Sequence, residues 1–207
     1  MMATTHALAG VVLAVLAGVL FPGSAAGTSV IPVAAAALGG LFPDFDLYAG
    51  HRRTLHFPVY FSAAAVGAAL VAVAVPTAVT VAAALFLAAA ALHSAMDALG
   101  GGLELKPWLG TSERAVYSHY HRRWIRPRRW VRYDGAPEDL FVATAFAAPS
   151  VYVLDGLAQT AVLAALAVSA LYVLVRKPMV IVTQKLVDAL PSQFVDRLPA
   201  RFVEDFR

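Results

Sequence analysis

The chain has 207 residues, of which 60% are hydrophobic and only 14% are charged. Soluble domains usually contain about 45–50% apolar and about 25% charged residues, so this composition excludes an ordinary soluble globular protein and favours one that spans a membrane. The formal net charge is +3, and the absence of cysteine excludes disulfide bonds and thiolate metal sites.

The first predicted elements are two helical hairpins within long uncharged stretches. Residues 7–43 and 57–92 contain no Asp, Glu, Lys or Arg, and about 20 apolar residues suffice to cross the hydrocarbon core of a bilayer. Within 1–102 we therefore expect four membrane helices, over residues 7–20, 29–41, 57–75 and 78–99.

Local signals set the expected ends of these helices. Gly39, Gly40 and Pro43 are expected to end the second helix, and the glycines at 100–102 the fourth. Thr77 is a suitable N-cap for the fourth helix. The first six residues lack the basic residues of a signal peptide, so we expect them to be retained.

Residues 103–139 form the predicted extramembrane segment, which is rich in Arg, Trp, Tyr and His. Seven arginines lie between Arg114 and Arg132 with no acidic residue among them. Such a segment beside a membrane helix favours contact with anionic lipid head groups. A sharper alternative is that His121, Arg122 and Arg123 steer a phosphate-bearing substrate, and nucleic-acid binding is the least favoured interpretation.

Residues 140–175 are predicted to contain the last membrane helices, and residues 176–207 an amphipathic tail helix. Residues 140–154 are apolar but few and include Pro149, whereas 157–175 form a clear span. The positive-inside rule favours six spans, because six place the basic residues at 176, 177 and 185 on the side of the 103–139 segment. The predicted fold is therefore an all-α polytopic bundle of about six transmembrane helices, five being the alternative, with its basic side in the cytoplasm.

On this topology all six histidines and the paired aspartates lie on one face of the bilayer. His93 and Asp97 are four residues apart, so they share a helix face, and an ionisable pair near the end of a membrane helix is costly without a partner or a function. Each of these residues alone has an ordinary explanation as a cap, a turn residue or a link between helices. Their joint placement predicts a metal site, and imidazole and carboxylate ligands without thiolates suit Zn, Mn or Fe.

The order of these residues resembles the YdjM-like family of membrane-bound, predicted metal-dependent hydrolases, which is grouped with the zinc-dependent phospholipase C and single-strand nuclease superfamily. The matching motifs lie within residues 1 to about 125: His6, Gly40-Leu-Phe-Pro-Asp44-Phe-Asp46, His51-Arg-Arg-Thr-Leu-His56 and His93-x-x-x-Asp97. The resemblance implies that the metal ligands are His6, Asp44, His51 or His56, His93 and Asp97, with Asp46 as a ligand or a neighbouring carboxylate. The soluble phospholipases carry a further His-x-x-x-Glu pair that this chain lacks, since only His119 and His121 remain, so one or two zinc ions are expected.

The sequence therefore predicts a metal-dependent hydrolase of a phosphoester or lipid-like ester at the cytoplasmic face of the cell membrane. A bound metal lowers the pKa of its water to about 7, with Asp46 and His121 expected to move protons and Arg122 and Arg123 to bind substrate. The alternative is a non-catalytic membrane protein with a structural or transported divalent metal. Transport is less favoured, because the predicted spans are nearly free of polar residues at their centres.

Overall fold

The computed structural model describes residues 1–21, 29–47 and 49–191. In this part of the chain the expectation of an all-α fold is confirmed, with six α-helices and two strands of three residues each. The helices are α1 (Ala3–Leu20), α2 (Val30–Leu41), α3 (Pro58–Ala74), α4 (Ala78–Leu99), α5 (Pro137–Val153) and α6 (Gly156–Ala189), and the strands are β1 (Val116–Ser118) and β2 (Arg123–Ile125). Two short 3-10 helices lie at Phe42–Asp46 and Pro107–Leu109.

Three of the six helices, α1, α4 and α6, are long and apolar enough to cross a membrane. The other three are shorter. Helix α2 has 12 residues, which at about 1.5 Å per residue covers roughly 18 Å of a hydrocarbon core about 30 Å thick. Helices α3 and α5 have 17 residues each. The structure is thus compatible with a membrane protein, but it does not confirm six full-length spans.

Glycines allow α2 to pack directly against the backbones of α1 and α4. A Cβ atom on Gly40 would lie 2.2 Å from the carbonyl oxygen of His6, and one on Gly39 would lie 2.2 Å from that of Phe86. Helix α2 ends at Leu41, as predicted, and leads directly into the 3-10 helix, with Gly39 and Gly40 inside its last turn. Their physical role is close helix approach, which membrane bundles achieve with small residues.

Helix α1 begins at Ala3, four residues before the start predicted from the apolar run. The reason lies far along the chain, at Asp139 in the first turn of α5. Its buried carboxylate accepts hydrogen bonds from the backbone N–H of Met2 and the hydroxyl of Thr5, both at 2.7 Å. A carboxylate that satisfies free amides at a helix N-terminus stabilises that end, so the helix starts early enough to include His6.

The predicted ends of α4 are confirmed. The N–H of Thr80 donates to the Thr77 hydroxyl at 3.2 Å, within a reciprocal capping box. The helix ends at Leu99, immediately before the three glycines at 100–102. Side chains of α1 form the centre of the apolar core and pack against residues from α2, α4, α5 and α6.

Within the 103–139 segment, residues 116–125 form an antiparallel β-hairpin that the sequence did not predict. Strands β1 and β2 pair Val116 with Ile125, Tyr117 with Trp124 and Ser118 with Arg123. Helix α6 runs unbroken past the predicted boundary at 175 to Ala189, and Arg176 on it forms an ion pair with Asp134 at 2.8 Å. The later part of the predicted amphipathic tail, residues 192–207, lies outside the described residues.

Candidate metal centre

Four side chains with metal-ligand chemistry meet at the end of the bundle where α2 and α4 terminate. Asp44, His56, His93 and Asp97 each offer one ligand atom, and these four atoms lie within 4.8 Å of one another. Asp44 lies in the 3-10 helix after α2, His56 just before α3, and the other two in the last turns of α4. The two histidines and Asp97 are at most 1% exposed, whereas the side chain of Asp44 is 23% exposed.

The distances within this cluster are short. The Nε2 atoms of His56 and His93 lie 3.1 Å apart. They lie 3.2 and 3.4 Å, respectively, from Oδ2 of Asp97, and Nε2 of His93 lies 3.5 Å from Oδ1 of Asp44. Two ring nitrogens and two carboxylate oxygens therefore face one small volume.

Hydrogen bonds at the outer ring nitrogens fix which atom of each imidazole faces this volume with a lone pair. Nδ1 of His93 lies 2.6 Å from the carbonyl oxygen of Gly40, and Nδ1 of His56 lies 3.1 Å from Oδ2 of Asp46. A carbonyl or carboxylate oxygen only accepts, so each Nδ1 donates its proton and each Nε2 of a neutral ring keeps its lone pair. Two lone pairs and two carboxylates at these distances repel one another unless a proton or a metal cation lies between them.

This donor set fits a divalent transition metal. Four ligands of nitrogen and oxygen type suit zinc, and histidine ligands whose second nitrogen donates to a carbonyl or carboxylate are the usual arrangement around it. The acidic surroundings also favour positive charge. Burial alone would lower the pKa of His56, but hydrogen bonds to Asp46 and Asp97 raise it above its ordinary value. Burial would raise the pKa of Asp44, and its hydrogen bond with His93 lowers it to about 2.

Asp46 lies behind His56, outside the four-atom cluster. Its Oδ1 accepts from Nδ1 of His51 at 3.1 Å and from the N–H of Arg52 at 3.3 Å, and its Oδ2 accepts from the N–H of Leu55 at 3.0 Å as well as from His56. Although burial opposes ionisation, these hydrogen bonds hold the pKa of Asp46 well below its usual range. Asp46 thus organises the loop and orients His56, and His51 lies on its partly exposed outer side.

His6 contacts the cluster through the other oxygen of Asp97. Its Nε2 atom lies 3.2 Å from Oδ1 of Asp97, and its ring stacks on that of His93 with centroids 3.7 Å apart. The amino group of Met1 lies 3.2 Å from the same oxygen. Of the six predicted ligands, the structure therefore brings four into the cluster and places His6 and His51 beside it.

Arg52 is a site residue that the sequence interpretation missed. Its buried guanidinium lies with Nε 3.3 Å from Oδ2 of Asp97, and Nη1 donates to the carbonyl oxygen of Gly101 at 2.8 Å. The residue adopts a left-handed conformation with φ of 58°. The only available signal was its position between two candidate histidines, and helical or strand periodicity does not reveal a left-handed residue in a loop.

The remaining predicted site residues lie on the β-hairpin. Nε2 of His119 lies 2.6 Å from the carbonyl oxygen of Arg53, and the exposed His121 is hydrogen-bonded to Ser118 at 2.9 Å. Arg122 and Arg123 are exposed. The catalytic role predicted for His121 and the substrate role predicted for the two arginines remain predictions, and none of the three is a member of the four-residue cluster.

Comparison with family models, with curated proteins and with solved structures finds no match to this chain. The resemblance to the YdjM-like family therefore rests on the motifs alone. The geometry of the cluster, independent of that resemblance, is the basis of the functional interpretation below.

Proposed function

We propose that this chain is a membrane-bound, metal-dependent hydrolase of a phosphoester or a lipid-like ester, with zinc as its metal. The observation that carries the proposal is the convergence of two Nε2 lone pairs with the carboxylates of Asp44 and Asp97. Each of the two imidazoles is already fixed by a hydrogen bond at its Nδ1 atom. Side chains held in this way are prepared to bind a cation without rearrangement.

The chemistry that a metal supplies at such a centre is a water whose pKa falls to about 7, which provides hydroxide at neutral pH. The chain's own residues would hold the metal and orient its histidine ligands. Asp46 keeps the proton of His56 on Nδ1, and the Gly40 carbonyl does the same for His93. Arg52 offsets part of the negative charge of Asp97. Asp44 is the one partly exposed member of the cluster, so substrate is proposed to enter along its side.

A structural metal is the second candidate, and the burial of the ligands favours it. His56, His93 and Asp97 are nearly inaccessible, and structural zinc sites are closed whereas catalytic sites keep an open position. A metal held by all four residues would fasten α4 to the end of α2 and to the loop before α3. The two candidates differ in turnover, not in metal binding.

The first test is the metal content of the purified protein. Wild type should carry at least one equivalent of a transition metal, and the double variant His93→Ala/Asp97→Ala should lose it. His121→Ala is the matched control, because it removes an exposed imidazole outside the cluster and should leave the metal content unchanged. Metal-free wild type, or equal metal in wild type and the double variant, would contradict a metal centre.

Turnover then separates the two candidates. Phosphomonoester, phosphodiester and phospholipid substrates are offered to the metal-loaded protein, to the chelated protein and to the double variant. Hydrolysis that is lost on chelation and restored by zinc supports the hydrolase. Full metal occupancy without turnover of any of the three classes supports the structural metal instead.

A further inference from the structure

We propose that the tip of the β-hairpin, residues 118–123, binds the head groups of anionic phospholipids at the bilayer interface. This inference concerns a surface distinct from the metal centre and does not depend on the proposed hydrolysis. The tip lies beside the exposed apolar helix α3, its arginines have no acidic partner among the described residues, and packed side chains support it.

The position of the tip follows from its contacts with α3. This helix has no buried residue, and large apolar side chains such as Leu70 and Val73 are 68% and 80% exposed. An outward face of that kind is stable against lipid rather than water. Tyr120 of the tip lies 6.4 Å from Tyr60 in the first turn of α3, measured between ring centroids. Tyrosine is enriched where helices enter the head-group region, so the tip lies at that depth.

No acidic side chain among residues 1–21, 29–47 and 49–191 compensates the charge of the two tip arginines. Arg122 and Arg123 are exposed, and neither has an ion pair with an acidic residue in the part of the chain that the structure covers. Other arginines of the same segment differ, because Arg126 pairs with Glu113 at 3.1 Å and Arg132 pairs with Glu138. Two exposed guanidinium groups at head-group depth match phosphate in both charge and geometry.

The tip is held on a rigid support. Tyr117 and Trp124 form a cross-strand aromatic pair with centroids 5.5 Å apart. The guanidinium of Arg53 lies over Tyr117 at 4.9 Å, and that of Arg114 lies over Trp124 at 5.8 Å. These contacts occupy Arg53 and Arg114 in packing and fix the strands, so the two tip arginines are presented with little loss of backbone freedom on binding.

A bilayer lipid fits this surface better than a soluble anion or a nucleic acid. The aromatic side chains at the tip are engaged with α3 and with one another: Tyr120 lies near Tyr60 and 4.9 Å from His121, and His119 lies 4.7 Å from Phe57. Tyr120 is 63% exposed, but single-strand binding stacks successive bases on several aromatic side chains, and His119 is packed against Phe57. The apolar face of α3 continues directly from the tip, which suits a ligand with acyl chains below its phosphate.

The test uses the full chain in a neutral detergent, with energy transfer from its three tryptophans to dansyl-labelled phosphatidylglycerol or phosphatidylcholine. Wild type should bind the anionic lipid more tightly than the zwitterionic one. Arg122→Gln/Arg123→Gln should weaken anionic binding on the order of tenfold or more, because each arginine near an anionic surface contributes several-fold. The matched control is Arg126→Gln/Arg132→Gln, which removes the same charge from paired arginines and should change binding less than twofold.

Three results would overturn the proposal. Equal weakening in the tip variant and the control would show a general charge effect. Displacement of the labelled lipid by millimolar inorganic phosphate, or by a single-stranded oligonucleotide, would assign the tip to a soluble ligand. Equal binding of phosphatidylglycerol and phosphatidylcholine by wild type would show that the tip does not recognise the anionic head group. Unchanged metal content and helical circular dichroism in every variant confirm that the bundle is intact.

Discussion

Replacing Asp46 by asparagine tests whether this carboxylate orients His56 or binds the metal itself. Each oxygen of Asp46 accepts two hydrogen bonds: one from His51 and Arg52, the other from Leu55 and His56. Asparagine keeps one oxygen and puts an NH₂ group, itself a donor, where the other two donors point. The variant therefore loses two charge-assisted hydrogen bonds and brings the NH₂ group against two other donors.

The size of the effect follows from those two bonds. Hydrogen bonds to charged groups are worth about 1.5–3 kcal/mol each, so we expect the loop over residues 49–56 to be destabilised by roughly 3 kcal/mol or more. Zinc affinity should fall about 10–100-fold, the usual cost of removing a carboxylate that orients a histidine ligand. His93→Ala should lower zinc affinity further, because it removes a ligand and the group that Asp44 and Asp97 face.

The assay is competition for zinc with a chromogenic chelator, run together with thermal unfolding of the metal-free protein. His51→Gln is the control, since it removes one imidazole donor from the same carboxylate and should change zinc affinity less than tenfold. If Asp46→Asn lowers zinc affinity as much as His93→Ala does, Asp46 is a ligand and the orienting role is refuted. A destabilised protein with unchanged zinc affinity would refute the link to His56.

Three further predictions follow from the same contacts. Gly40→Ala should lower thermal stability by about 1–3 kcal/mol, because the added Cβ lies 2.2 Å from a carbonyl oxygen of α1; Gly67→Ala, which meets nothing within 4 Å, is the neutral control in the same melts. Arg52→Gln should destabilise the metal-free protein more than the zinc-loaded one, since bound zinc also compensates the charge of Asp97. Equal shifts in melting temperature would contradict this. The raised pKa of His56 stabilises the metal-free protein fully below about pH 6.5 and progressively less as pH rises through the folded pKa. Metal-free melting temperatures should therefore fall above that pH, whereas zinc affinity should rise with pH as protons stop competing.

The sequence was sufficient wherever one local pattern decides the structure. Uncharged stretches located the apolar helices, and the capping chemistry of Thr77 set the start of α4 correctly. The spacing of His93 and Asp97 placed both on one helix face, and both lie in the cluster. The capping box of Thr77 and Thr80 and the pair of His93 and Asp97 each span four residues or fewer, so the local sequence contains the information.

Interactions across long chain separations were not accessible in this way. The choice between His51 and His56 depends on how the loop wraps around Asp46, with Arg52 in a left-handed conformation. The early start of α1 depends on Asp139, which lies 137 residues from Met2 along the chain. Glycines signal a helix end or a close helix contact equally well, and only the neighbouring helix decides between them. The two strands have three residues each, too few for an alternating pattern to be recognised.

The charges buried around the cluster explain why a cation is expected there at all. Asp44, Asp46 and Asp97 contribute three negative charges, and Arg52 returns one positive charge. The amino group of Met1, 3.2 Å from Asp97, returns another where it is free. An excess of negative charge remains in either case, and each uncompensated buried ion costs several kcal/mol.

Without metal, a proton on an imidazole is the available compensation, in agreement with the raised pKa of His56. A divalent cation compensates more charge and lets both histidines stay neutral. Proton and metal are therefore alternatives at one position, and the opposite pH dependences predicted above are two consequences of the same charge balance.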